Sequence, residues 1–303
     1  MSRTDENVSR RELLKTAALG AAALALPGRL GACIGTDPDR ERLTSWVETL
    51  RAEGLARGGV SVGRAAARVG ELAAGTPYVP YTLETYLENG GSPIQEPLTL
   101  SLTRFDCVTL VESCLGVARV ARTDGAPTWA RFGREVERMR YRGGNRAGYV
   151  TRLHYFSEWI SDAERRSLLK NIGAELGGAD DARPIRFMTG HRDKYLALRD
   201  REVFDEIQRS ERRISQRPRR VVPTKRIPEV VGRIETGDVL AFATEIPGLD
   251  VTHTAFAYRD KGGTLRVLHA PLSGGVVEVT RATLPEYVAA IKRSTGILVA
   301  RAR

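Results

Sequence analysis

Thr103-Arg-Phe-Asp-Cys-Val-Thr-Leu-Val-Glu-Ser-Cys-Leu-Gly-Val-Ala-Arg119 is the stretch on which the fold turns. Leu110, Val111, Cys114, Leu115 and Ala118 recur at helical spacing and make one apolar stripe. Thr103 is the expected N-cap, and Asp106 three residues on closes the first turn, which places Cys107 within that turn. Unpaired amides and the positive end of the helix dipole favour a thiolate there, and the thiolate is the nucleophilic form. Cys114, two turns further in, reads as a small core residue. At ~1.5 Å rise per residue the two cysteines stand about 10 Å apart along the axis, beyond the roughly 7 Å that a disulfide tolerates between Cα atoms.

A thiol nucleophile needs a base, and the chain has 4 histidines. In Val251-Thr-His-Thr-Ala-Phe-Ala-Tyr-Arg259 strand alternation puts His253 on one face with Val251, Ala255 and Ala257. His269 closes the next run, Leu265-Arg-Val-Leu-His269. Adjacent strands would bring both imidazoles together, His253 toward the thiol and His269 orienting it. Two half-buried histidines bonded to backbone carbonyls are the structural alternative. His154 and His191 are also compatible with the periodicity.

Outward from this centre, residues 39–74 read as helix broken at Gly58-Gly59, with Leu43, Trp46, Val47 and Leu50 at helix spacing. Gly75-Thr-Pro-Tyr-Val-Pro-Tyr81 is extended or turn-like, because proline removes donors and biases its predecessor away from helix. Residues 199–233, dense in arginine and broken by Pro218, Pro223 and Pro228, read as a surface excursion, a mobile loop or a hinge. From Gly237 onward short β-rich runs follow at 238–243, 251–259, 264–270, 275–279 and 296–300. Helices first and an antiparallel sheet last is an α+β order.

The first 33 residues form a separate unit. A charged start precedes the Ala/Leu run Thr16 to Leu26, the layout of an export signal. Arg10-Arg11 resembles the twin-arginine type, and the run is short of the roughly 20 apolar residues needed to span a bilayer. Leu30-Gly31-Ala32-Cys33 resembles a lipobox, with Cys33 as the lipidated residue; Ala23-Leu24-Ala25 is the rival cleavage site and would release a soluble protein. Residues 34–303 are then expected to form one catalytic domain. The net charge of +10 is mostly arginine mixed with acidic residues, which reads as a solvated surface and not as a nucleic-acid patch.

Phe105-Asp106-Cys107-Val108-Thr109 with Glu112, Gly237-Asp238-Val239-Leu240, His253, and Leu268-His269-Ala270 together resemble the NlpC/P60 superfamily. Gly75-Thr-Pro-Tyr78, Arg152 to Trp159 and Phe187-Met-Thr-Gly-His191 resemble, more narrowly, its DUF1460 branch, described as N-acetylmuramoyl-L-alanine amidase-like. The resemblance covers about residues 70–301. It implies a papain-like α+β fold with Cys107 at a helix N-terminus, packed on a sheet bearing His253. It also implies hydrolysis of an amide bond in peptidoglycan or muropeptides through a thioester. His269 maps to the third catalytic position, with Asp250 as a rival, and Pro271 stands where the branch often carries serine. Tyr78, Asp106, His154, Tyr155 and Trp159 are the candidate substrate contacts, since aromatic faces with polar tips suit sugar-peptide ligands. Tyr155 and Trp159, four apart, would equally make a helical core pair.

No cofactor or metal is called for, and no C-x-x-C or H-E-x-x-H spacing supports zinc held by Cys107, His253 and His269. A non-catalytic envelope-binding lipoprotein and a stem-peptide endopeptidase using the same residues are the competing readings.

Overall fold

A computed structural model describes residues 37–271 and 275–303. Arg10, Arg11, the Ala/Leu run and Cys33, on which the export and lipidation expectations rest, lie outside the described residues. The longer helices are α1 (Pro38–Ala52), α2 (Val62–Leu72), α3 (Cys107–Ala121), α4 (Trp129–Arg140), α5 (Phe156–Arg165), α6 (Arg201–Ser215) and α7 (Leu284–Ala290). The strands are β1 (Leu169–Asn171), β2 (Ala179–Asp181), β3 (Arg219–Pro223), β4 (Val239–Thr244), β5 (Val251–Arg259), β6 (Leu265–His269), β7 (Glu278–Val279) and β8 (Ser294–Ala302). They form one antiparallel sheet in the order β2-β3-β8-β4-β5-β6-β7, with β1 also paired to β8. Among the described residues no helix is long and apolar enough to cross a membrane.

The expected α+β arrangement is what the chain forms. The helices α1 to α5 cover one sheet face, packing Leu43, Leu110, Leu115 and Trp159 against Val239, Phe256 and Leu268. On the other face Leu284 and Val288 of α7 meet Phe242, Ala255, Val267 and Val299. A third cluster joins α6 to the irregular chain at 149–155 and 185–198.

Several expectations need correction. Helix α3 is not amphipathic with one stripe: Val117 and Val120 are as buried as Leu110, because the helix lies between α2, α4 and β5. Residues 199–233 are not a loop or hinge; they supply α6, whose Val203 and Ile207 are buried, and strand β3, which pairs with β2 and β8. Only Glu278–Val279 of the expected strand 275–279 pairs in the sheet, with Val276 bridging instead to Pro77. Helix α7 lies between the runs expected at 275–279 and 296–300, within the part of the chain read as sheet.

Where α2 meets the start of β4 the two backbones touch. A Cβ on Gly237 would lie 2.0 Å from the Gly63 carbonyl, and Gly237 holds φ +91. Both the space and the dihedral therefore demand glycine. Gly237→Ala is expected to lower unfolding free energy by about 3 kcal/mol, read as a shifted denaturant midpoint at unchanged slope.

Candidate active site

Asp106, not Thr103, is the N-cap of α3. Its Oδ1 accepts the Thr109 amide at 2.7 Å, and the Thr109 hydroxyl oxygen accepts the Asp106 amide at 2.8 Å, a reciprocal capping box. Cys107 is consequently the first helical residue, 7 % exposed. Asp106→Ala should cost about 1–2 kcal/mol, while Asp106→Asn, which keeps the accepting oxygen, should cost little; urea midpoints check both.

Strand β5 braces this turn. The Thr254 hydroxyl donates to the Cys107 carbonyl at 2.9 Å, so the residue next to His253 touches the first residue of α3. The register Phe242↔His253 and Ala257↔Val267 puts His253 and His269 on one sheet face, as alternation predicts. Their rings meet, with His253 Nε2 2.8 Å from His269 Nδ1. The His253 ring stacks on Phe242, centroids 5.7 Å apart.

Tyr287 completes the group. Its hydroxyl is 3.2 Å from His269 Nδ1, and its acidity is suppressed first by burial and then by the neighbouring Cys107. Burial pushes the His269 imidazole down to about 4. A neutral His269 accepting at Nδ1 carries its proton on Nε2, which faces Glu278 Oε1 at 3.8 Å. With Nε2 of His253 committed to His269, Nδ1 is the nitrogen able to serve the thiol.

Asp250 does not orient His253: its Oδ2 accepts the Ser157 amide at 2.8 Å, at the start of α5, and its Oδ1 accepts the Val251 amide.

Cys107 lines a cavity of about 680 Å³ together with Tyr78, Asp106, His154 and Tyr155, four of the five expected contacts. His253 and His269 are not part of that lining. Trp159 does not reach it either. It is 1 % exposed and stacks on Phe156 inside the core, centroids 4.7 Å apart. The expected helical pair of Tyr155 and Trp159 is split because Tyr155 precedes α5 as its N-cap residue.

His154 presents a half-buried ring whose Nε2 is 2.8 Å from the Tyr149 carbonyl oxygen; desolvation, with Arg152 nearby, keeps it neutral. His191 makes the same kind of local bond, from Nδ1 to the Phe187 carbonyl oxygen at 2.7 Å.

Sequence reasoning missed the charges that hold the cavity wall. Glu112 and Arg140 line it as a buried ion pair, Nε to Oε2 2.7 Å. Burial favours protonation of Glu112, and the Arg140 guanidinium opposes it. Arg152 bonds Glu84 and lies 3.1 Å from Glu96, which also accepts from the Tyr141 hydroxyl at 2.9 Å and the Tyr86 hydroxyl at 3.4 Å. Glu211 of α6 accepts from the Tyr155 hydroxyl at 2.6 Å and from the Met188 and Thr189 amides, both 3.1 Å. Among the described residues no cluster of three or more His, Cys, Asp or Glu side chains could hold a metal ion.

Residues 68–297 match the model of the family described as N-acetylmuramoyl-L-alanine amidase-like. A crystal structure of an N-acetylmuramoyl-L-alanine amidase from Bacteroides uniformis is similar at TM-score 0.72 and 27% identity, covering 80% of this chain and 99% of its own. A Bacteroides fragilis protein, provisionally described as a xylanase, is similar at TM-score 0.70 and 31% identity, covering 77% and 99%. A Legionella pneumophila protein of family DUF1460 shares the fold at TM-score 0.61 and 18% identity, covering 87% and 94%. No curated protein sequence matches.

Proposed function

The chain belongs to the N-acetylmuramoyl-L-alanine amidase-like family, and from that premise we propose that it is a cysteine hydrolase of cell-wall amide bonds. The favoured bond is the lactyl amide between the glycan and the first alanine of a muropeptide. The observation that carries the reading is the His253–His269 pair, 2.8 Å between ring nitrogens, with His253 on the strand whose Thr254 bonds the Cys107 carbonyl at a helix N-terminus. The chemistry and order of these elements support placement in the papain-like NlpC/P60 superfamily.

In this reading the Cys107 thiolate attacks the amide carbon, and the Cys107 backbone N–H at the helix N-terminus helps to stabilise the tetrahedral oxyanion. The carbon–nitrogen bond breaks as His253 gives its proton to the departing alanine amine. Water then attacks the thioester, His253 takes its proton, and the acid is released with regeneration of the thiol. His269, neutral above about pH 4, accepts from His253 Nε2 and fixes the ring so that Nδ1 faces the sulfur.

The substrate is extracytoplasmic, and the Arg10-Arg11 signal with its lipobox at Cys33 fits export to the cell envelope, with attachment through a lipidated N-terminus. Mass spectrometry of defined muropeptides treated with mature protein and with Cys107→Ala tests the reading. Separate glycan and intact stem peptide, absent with the variant, are expected. Cleavage within the stem would make the protein an endopeptidase, and product formation independent of Cys107 would refute the mechanism.

A further inference from the structure

The cavity wall on the side of residues 78–84 ends in an aromatic ring that the mechanism leaves unused. Tyr81 lines the cavity, is 38 % exposed, and holds a left-handed backbone at φ 59. Bulky residues adopt that conformation where their surroundings impose it. Here the Tyr81 carbonyl oxygen accepts the Glu84 amide at 2.9 Å, the Thr85 amide at 3.2 Å and the Thr85 hydroxyl at 3.2 Å. Glu84 in turn is bonded by the buried Arg152. A glycine or asparagine would hold the same turn with less strain, so the ring is what tyrosine adds. Among the described residues the other large apolar side chains of comparable exposure, Ile94 and Val276, lie off the cavity.

The position is close to the nucleophile. The Val79 amide donates to the Phe105 carbonyl at 2.8 Å and the Phe105 amide to the Pro77 carbonyl at 3.1 Å, which ties this segment to the chain two residues before Cys107. Tyr81 can extend at most about 7 Å of chain beyond Val79. The neighbouring lining is Tyr78, Pro80 and Leu83, together with the acidic side chains of Glu84 and Glu88. A sugar ring, with an apolar C–H face and hydroxyl edges, suits this mixture of aromatic faces and acidic groups that can accept its hydroxyls.

We propose that Tyr81 is the platform against which a sugar ring of the substrate packs, making it the residue that selects the glycan end of the scissile amide. This rests on the muramoyl-amide reading. The test measures calorimetric binding in the Cys107→Ala background to a disaccharide-tetrapeptide and to the N-acetylated tetrapeptide without sugars. Tyr81→Ala is expected to weaken the first about tenfold and to leave the second within about twofold. Tyr81→Asn, which suits the left-handed backbone, should lose as much as Tyr81→Ala, while Tyr81→Phe stays within about threefold of the parent. Equal loss for both probes, no loss for the sugar-bearing one, a Tyr81→Phe loss equal to that of Tyr81→Ala, or a parent that does not bind the sugar-bearing probe overturns the proposal. Failure of the wild-type protein to release stem peptide from the same disaccharide-tetrapeptide, with the binding differences intact, would instead sink the amidase reading alone.

Discussion

His253→Ala is expected to reduce kcat/KM on a muropeptide by about 10³-fold or more, the range over which a positioned general base and acid acts. The loss should fall on kcat, because in this reading His253 moves protons during the chemical steps and does not hold the bound substrate. The same substitution should slow iodoacetamide alkylation of Cys107 at neutral pH, since the thiolate loses its imidazolium partner. Changes at His269 should rank by geometry: His269→Asn, able to offer an acceptor near the Nδ1 position, retains more activity than His269→Ala. Alkylation and turnover both unchanged in His253→Ala would remove this residue from the mechanism.

A second large effect is acid lability. The His269 imidazole sits at about 4 in the folded protein against an ordinary value of 6.5 because burial disfavours its charge. Below pH 6.5 the unfolded chain therefore takes up a proton that the folded chain refuses, and unfolding free energy falls as pH is lowered toward 4. A shift of that size corresponds to about 3 kcal/mol at the acid end. His154, also held below its ordinary value by desolvation, acts in the same direction. Urea unfolding between pH 7 and 4 should show the decline, and His269→Gln should flatten it by its own share. An identical decline in the variant would mean that the His269 ring is not desolvated as the structure has it.

How legible the site is from sequence differs by residue for physical reasons. Cys107 stands out because helical periodicity and an acidic neighbour announce a helix start, although Thr103 competes with Asp106 for the cap. The side chain settles that contest by bonding Thr109, three residues on. The pairing of His253 with His269 follows from period-two alternation in two consecutive strands, a pattern the sequence itself carries. Tyr287 was missed although a signal existed: Thr283-Leu-Pro-Glu286 has the capping-box spacing with proline in the first turn, and both reciprocal bonds form. Seven residues of helix are too few for periodicity to declare, and the surrounding strands dominate the pattern.

Glu96 and Glu211 carried no local signal at all. Their partners lie tens of residues away, as with Glu211 and Tyr155 at a separation of 56, and only the assembled fold brings them together. Trp159 shows the opposite failure. A cluster of aromatics in sequence looked like a cleft lining, but a residue inside α5 points into the core between α3 and the sheet while the pre-helical Tyr155 stays at the cavity.

The most direct measurement is an acid-quenched peptide map of the protein during turnover of an activated aryl ester of N-acetylmuramic acid, which acylates faster than the thioester hydrolyses. The expected result is an N-acetylmuramoyl mass on the peptide bearing Cys107, with neither adduct nor turnover in Cys107→Ala. Undiminished ester or muropeptide cleavage by Cys107→Ala would contradict it.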